Sequence, residues 1–354
     1  MSDSGALAGN RPVVLCDCPF HPEFQALFDE HVRCLFVTEF VRKSVDEVGP
    51  DDVLATIAGA GKQDIVAVVS HQHAPLRGPE LERLPKLRVV SNHGVGYGHI
   101  DAEYLARRGV PLGNTPGVAS EPTAELGVAL ILASARRLLP SARLARAPET
   151  TSFDPYWYGQ RVAGATLGLV GFGVMAQKLA AFVRGFDMTV LYWSRARKQP
   201  LEAALGVSWC SALEDLLGRS DFVAVCVPST PETRGLVGAR QLRAMKRSAT
   251  LVNIARGDVI VQDDLVEALR AGTIASAALD VTHPEPLPRD HPLLHMENVI
   301  VTSHIGSACK ADRRRMAEMC LENLLAGLEG RELPYAVHQA GRRGAKRRLQ
   351  ACGS

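Results

Sequence analysis

Two doubly wound domains built on parallel sheets are predicted from three features of this chain. Short runs rich in Val, Ile and Leu alternate with amphipathic segments of helical length. These runs fall into two series, separated by a long apolar-rich helix and an aromatic loop. The 354 residues are also enough for two compact cores.

The first series reads "PVVLC", "CLFVTEF", "DIVAVVS" and "LRVVSN" and ends near "GVPLGNTPG". Such near-continuous apolar runs suit strands buried on both faces, with segments such as "PEFQALFDEHV" as the covering helices. A helix is then expected over Glu121 to Leu139, with Ser120 and Pro122 suiting its start. The loop "APETTSFDPYWYGQ" follows. The second series is "TLGLVGFG", "MTVLYW", "DFVAVCVP", "TLVNIA", "IASAALDV" and "NVIVTSH". A last helical segment, "ACKADRRRMAEMCLENLLAGLEG", is expected to pack back on the first domain. This gives one discontinuous domain, 1–116 with 307–333, a second over 117–306, and a basic, disordered tail over 334–354. Gly, Pro and Ser make Asn114–Val118 and Ser303–Ser307 the expected hinges.

Composition excludes several classes. A hydrophobic fraction of 46% and a charged fraction of 22% are those of a soluble globular protein. No apolar run nears the roughly 20 residues of a membrane helix, and the first residues carry no signal or transit pattern. The protein is therefore expected in the cytoplasm, with no membrane partner. From Arg331 onward six Lys or Arg face one Glu, leaving 34 basic against 37 acidic residues in the body. A mildly acidic body argues against nucleic acid as a partner. The eight cysteines show no paired CxxC or nearby His pair, so no metal site is expected and the thiols read as buried and reduced.

"LGLVGFGVMAQKLAAFV" holds Gly171, Gly173 and Ala176, a GxGxxA pattern between a strand run and an amphipathic segment. In that context Gly171 permits a tight turn and Gly173 lets backbone N–H groups approach a pyrophosphate at the helix N-terminus. Ser194 stands 21 positions after Gly173, where an acid would bind the ribose of NAD. Ser removes the repulsion that a carboxylate would exert on a 2′-phosphate, and Arg195, Arg197 and Lys198 supply positive charge. NADPH is thus the expected cofactor, with NADH usable.

Together with "SNHGVGYGHID" and the glycine loop, three stretches, "NIARGDVI", "LDVTHPEPL" and "VTSHIGSA", resemble the D-isomer-specific 2-hydroxyacid dehydrogenase family over roughly Pro12 to Pro334. Within it, "PEPLPRDHPLL" and "LYWSRAR" look most like the glyoxylate/hydroxypyruvate reductases, a branch that includes probable 2-ketogluconate reductases. The resemblance implies a flavodoxin-like substrate domain and a Rossmann coenzyme domain, with the active site in the cleft between them. It makes Arg256 the clamp on a 2-keto acid carboxylate and His304 the general acid, an imidazole suiting proton transfer near neutrality. Glu285 would orient that imidazole and favour its protonated form, and N–H groups of Val95 and Gly96 would hold the carboxylate. The implied coenzyme contacts are Gly171, Gly173, Val174, Met175, Ala176, Ser194, Arg195 and Arg197, then Pro228, Thr233, Ile254, Asp280 and Gly306. Asp280 would face the nicotinamide carboxamide.

His71, His73 and His93, at ends of first-domain strands, are expected to bear on specificity, and His283 to be a surface residue. Ser303 stands where the family commonly has Pro, and Gly98 where relatives often carry a longer polar residue. The helix from Glu121 and the aromatic loop Phe153–Trp157 resemble the family's dimer arm, which implies a homodimer. A dinucleotide-sensing, corepressor-like binding protein of the same fold is the alternative function.

Overall fold

A computed structural model of the chain describes residues 11–43, 48–59, 64–71, 74–152 and 154–337. His73, Phe153, Cys352 and the basic run Arg342–Arg348 lie outside these residues. The described chain divides into two compact units. One runs up to Pro116 and resumes at Arg314; the other is Gly117–Arg313.

The first unit holds β1 (Val13–Cys16), β2 (Arg33–Phe36), β3 (Ile65–Ser70), β4 (Val89–Asn92) and β5 (Leu112–Gly113). They form one parallel sheet in the order β2-β1-β3-β4-β5, the flavodoxin-like arrangement. Its helices are α1 (Pro22–Asp29), α2 (Val37–Val41), α3 (Pro50–Gly59), α4 (Gly78–Glu82) and α5 (Ala102–Arg107). In α1, Phe24 and Phe28 stand four apart and are both buried, as one apolar helix face requires. The run "CLFVTEF" is strand only as far as Phe36. Its pairing with β1 ends at Cys16↔Phe36, because β1 stops short of Pro19, and the unpaired remainder turns into α2.

In the second unit, α6 (Ser120–Ala135) and α7 (Leu138–Leu144) precede β6 (Thr166–Val170), α8 (Val174–Phe182), β7 (Thr189–Trp193), α9 (Gln199–Leu205), β8 (Val207–Trp209) and α10 (Leu213–Arg219). Then come β9 (Phe222–Val225), α11 (Ala239–Ala244), β10 (Thr250–Asn253), α12 (Gln262–Arg270), β11 (Ser276–Leu279) and β12 (Val299–Val301). The seven strands are parallel in the order β12-β11-β10-β9-β6-β7-β8, so the order reverses between β6 and β9. That reversal is the crevice where Rossmann sheets take ligands. Strands β6, β9 and β10 are buried almost throughout, which explains their unbroken apolar sequence.

Three expectations need correction here. The helix expected over Glu121–Leu139 is two helices: Arg137 is left-handed (φ 52°), and Pro140 lacks the N–H that would continue the ladder through Arg136. Ser120 is the first helical residue and makes no side-chain cap. Within the segment expected to be a loose tail, Pro334–Val337 lies along β5. Asn114 N–H donates to Tyr335 O at 3.1 Å and Val337 N–H to Leu112 O at 2.8 Å, satisfying backbone groups at that edge.

The first unit is completed by α13 (Lys310–Leu328), whose residues from Arg314 on pack against β4. Ser91 Oγ donates to Cys320 O at 2.8 Å, and Gly327 leaves no room for a side chain against Val89. All described cysteines are free thiols, most of them buried; Cys309 is exposed, contrary to the expectation of burial. Among the described residues no helix is long and apolar enough to cross a membrane, and no cluster is placed to hold a metal ion.

Candidate active site

The glycine loop joins β6 to α8 at the sheet's reversal point. Gly171 has φ 97°, and a Cβ there would lie 2.7 Å from Val227 and 3.0 Å from the Cys226 backbone. Only glycine satisfies both constraints. Gly173, the N-cap of α8, borders open space: a Cβ there would meet nothing within 4 Å. Val174 next to it is exposed, Met175 is half-buried, and Ala176 is fully buried where α8 packs inward. A helix N-terminus with open space in front of its N–H groups fits a pyrophosphate. Two further expected contacts, Pro228 and Thr233, close the turn after β9, with Thr233 Oγ1 donating to Pro228 O at 2.5 Å. Ile254 is a core residue, packed so tightly that a Cβ on Gly127 of α6 would lie 3.0 Å from it. Its side chain is committed to the core, so only its backbone can serve a ligand.

At the end of β7 the basic turn is more structured than a run of surface charges. Arg197 donates from Nε and Nη2 to the two oxygens of Glu202, at 2.9 and 2.8 Å. The buried Tyr192 hydroxyl donates to Glu202 at 2.8 Å and accepts from Lys198 N–H. Glu202 is accordingly pulled down to about 2, first by the hydrogen bond from Arg197. Arg197, expected at a ligand phosphate, thus has two of its five N–H donors on a carboxylate. Ser194 Oγ donates to Ala196 O at 2.7 Å, while Arg195 is exposed.

The three motifs of the second unit meet. His304 Nδ1 bonds Glu285 Oε1 at 2.5 Å, and Glu285 Oε2 accepts from Thr282 N–H at 3.0 Å. Burial pushes the Glu285 carboxyl up, but the bonds from His304 and Thr282 and the nearby Arg256 charge hold it below the ordinary range. Arg256 is half-buried, which lowers its guanidinium, against the pull of Glu285 and Asp258. Its turn is set by Asn253, whose amide donates to Arg256 O at 2.9 Å and accepts from Ala255 N–H at 3.1 Å.

His304 itself is left-handed (φ 52°), and the loop is fixed from below by Asp280. That buried carboxylate accepts from Thr302 Oγ1 at 2.6 Å, Ile305 N–H at 2.9 Å and Gly306 N–H at 2.9 Å. Gly306 has no room for a side chain: a Cβ would lie 2.9 Å from Thr123 and 3.1 Å from Asp280. Asp280, expected at the nicotinamide, thus sits at 2% exposure and is occupied in shaping the histidine loop. Exposed His283 instead pairs its backbone N–H with Gln262.

In the first unit, the carbonyls of Gly94, Val95 and Gly96 are turned toward Asn92, Asn114 and Thr115. Among the described residues none accepts from the Val95 or Gly96 N–H, an arrangement suited to an anion. His71 and His93 lie edge to face at 4.7 Å, with Phe20 stacked on His71 at 4.2 Å.

Residues 128–306 match the family model described as D-isomer specific 2-hydroxyacid dehydrogenase, NAD binding domain. A glyoxylate reductase of Korarchaeum cryptofilum is 43% identical over 279 residues, 78% of this chain and 84% of that protein. The chain belongs to the D-isomer-specific 2-hydroxyacid dehydrogenase family. The dehydrogenase also shares its fold with the TT0316 protein of Thermus thermophilus, at 37% identity and a TM-score of 0.80, covering 92% of this chain and 100% of that one. A NADPH-dependent glyoxylate/hydroxypyruvate reductase of Sinorhizobium meliloti, crystallised with NADP and malonate, is 28% identical with a TM-score of 0.77, covering 93% and 97%. This chain is thus an enzyme that acts on CH–OH donors with a nicotinamide dinucleotide.

Sequence reasoning missed the residues that support this dehydrogenase's site. Asn253 and Thr302 stand inside quoted motifs. The signal for both was a polar side chain ending an apolar strand run, which must find partners when buried. Glu202, eight residues beyond Ser194, carried no such signal.

Proposed function

We propose that this dehydrogenase reduces small 2-keto acids to D-2-hydroxy acids with a preference for NADPH over NADH. Glyoxylate and hydroxypyruvate lead as substrates, with 2-ketogluconate as a further one. The observation that carries the reading is the His304–Glu285 bond beside the half-buried Arg256. A 2-keto acid needs a cation at its carboxylate and a proton at its carbonyl oxygen as hydride arrives at carbon.

Bound coenzyme supplies the hydride. Arg256 clamps the carboxylate and polarises the carbonyl. Glu285 engages Nδ1 of His304, so Nε2 is the nitrogen that delivers the proton to the carbonyl oxygen and recovers it in the reverse direction. The glyoxylate reductases among the relatives support the substrate class. Ser194 in place of an acid, within a turn rich in cations, supports NADPH.

The same family reading makes the enzyme a two-fold homodimer. Leu138, Leu139, Tyr156 and Tyr158 lie exposed around α7 and the aromatic loop, a patch that a second copy would cover. Light scattering at micromolar concentration tests this, and a monomer mass overturns it.

The functional reading is tested by initial rates of nicotinamide absorbance change with NADPH and NADH against hydroxypyruvate, glyoxylate and 2-ketogluconate. Turnover of at least one keto acid, faster with NADPH, is the expected result. Coenzyme binding without turnover of any short 2-keto acid would overturn it in favour of a sensing role.

A further inference from the structure

The basic turn after β7 offers three cations, and the structure treats them unequally. Arg197 is held bidentately by Glu202, with its guanidinium 5.6 Å from the Trp209 ring centre. Such a pair is neutral as a unit, and two of the five guanidinium donors are already directed at a carboxylate. Arg195 is exposed, and its charge helps to lower the Glu232 carboxyl.

Lys198 is different. Its backbone N–H is fixed on the Tyr192 hydroxyl at 2.8 Å, and Tyr192 stacks on Phe172 at 4.1 Å. The ammonium reaches back to the glycine loop, donating to Phe172 O at 2.7 Å. Phe172 is the middle residue of the Gly171–Gly173 turn, so this places the charge one residue from the open space in front of Gly173. An ammonium has three donors; one is used here, and among the described residues the other two have no acceptor. Ser194, at the ribose position, lies on the same turn.

We infer that Lys198, anchored on the Phe172 carbonyl, is the principal cation for the 2′-phosphate of NADPH, with Arg195 as its exposed helper and Arg197 held on Glu202. This rests on the NADPH reading above. A phosphate placed between Ser194 and the glycine loop meets an ammonium that is already localised, which spares the ordering cost of a free lysine. The pyrophosphate is the other anion nearby. A contact with it would serve NADH and NADPH alike, whereas a 2′-phosphate contact serves NADPH alone.

The test compares kcat/KM for NADPH and NADH in the unsubstituted enzyme and in Lys198→Met, Arg195→Met and Arg197→Met, with melting temperatures for each. Binding of adenosine 2′,5′-bisphosphate and of AMP by calorimetry gives a readout free of turnover. Lys198→Met is expected to lose about ten-fold or more in kcat/KM for NADPH, and as much in affinity for the bisphosphate. NADH and AMP should change by less than about two-fold, below the roughly two- to ten-fold that losing even a neutral hydrogen bond gives. Arg197→Met is expected to lower the melting temperature while leaving the NADPH-to-NADH ratio in place.

Equal losses with both coenzymes in Lys198→Met would assign the ammonium to the pyrophosphate and overturn the inference. So would collapse of the ratio in Arg197→Met with Lys198→Met unaffected. An unsubstituted enzyme without NADPH preference would overturn the cofactor reading itself, an outcome visible before any variant is made.

Discussion

The backbone of Gly257 lies directly on the backbone of Thr282, leaving no space for a β-carbon between them. This contact locks together the two turns that carry the site's charges. Arg256 precedes Gly257, and Thr282 N–H holds Glu285 Oε2 at 3.0 Å. The glycine therefore does positional work that its φ angle does not disclose.

Replacing it tests that coupling. Gly257→Ala should force the two turns apart, at an overpacking cost of about 1–3 kcal/mol. The expected result is a melting temperature lower by several degrees, and a fall in kcat/KM for the keto acid larger than the fall in coenzyme affinity. An alanine variant with unchanged melting temperature and activity would show that the turns are not interlocked in solution.

The histidine pair makes a prediction about pH. The carboxyl of Glu285 is held below its ordinary value in the folded state, so the unfolded chain binds its proton more readily as pH falls. Its stabilising contribution is present above the unfolded value near 4.3 and fades as pH drops through the lower folded value. Glu285→Gln should remove this part of the acid dependence, read as a smaller gap between melting temperatures near neutrality and in acid. It should also cut kcat by about 10²-fold, within the range of general acid catalysis, because the amide no longer selects the imidazole tautomer.

Arg256 makes a prediction about substrate. Arg256→Lys keeps the charge but loses the planar fork, and an ammonium at this half-buried position cannot make two parallel bonds to a carboxylate. Loss of one charge-assisted bond, about 1.5–3 kcal/mol, corresponds to a drop of roughly 10–100-fold in kcat/KM for the keto acid. Coenzyme dissociation constants should stay unchanged. A variant whose loss appeared only in coenzyme binding would move Arg256 out of the substrate site.

The sequence reads well where the physics is periodic or the spacing is covalently fixed. Strands such as β6 and β9, buried on both faces, wrote themselves as unbroken Val and Leu runs. The Gly171–Ala176 loop announced its turn through residue types that few other conformations need. What stayed hidden depends on side chains meeting across the fold. No local pattern says that Glu202 takes the fork of Arg197, or that β1 ends too early to pair the rest of "CLFVTEF". The break at Arg137 was hidden for another reason: the apolar pattern continues across it, and only Pro140 three residues later marks the end of the ladder.

Asp280 carries the last prediction, because three donors of the histidine loop converge on its carboxylate. Its two oxygens accept from Thr302, Ile305 and Gly306, three donors that bracket the left-handed His304. Asp280→Asn keeps the size and one acceptor but points an NH2 at donors that it cannot bond. At 2% exposure no water replaces the lost partner, so a cost of about 1–3 kcal/mol is expected. The loop would relax out of the conformation that brings His304 to Glu285. The expected signature is a fall in kcat for reduction accompanied by a lower melting temperature, with Asp280→Ala worse on both counts. A carboxylate serving only the nicotinamide would behave otherwise: Asp280→Asn would weaken coenzyme binding and leave the melting temperature of the free enzyme untouched.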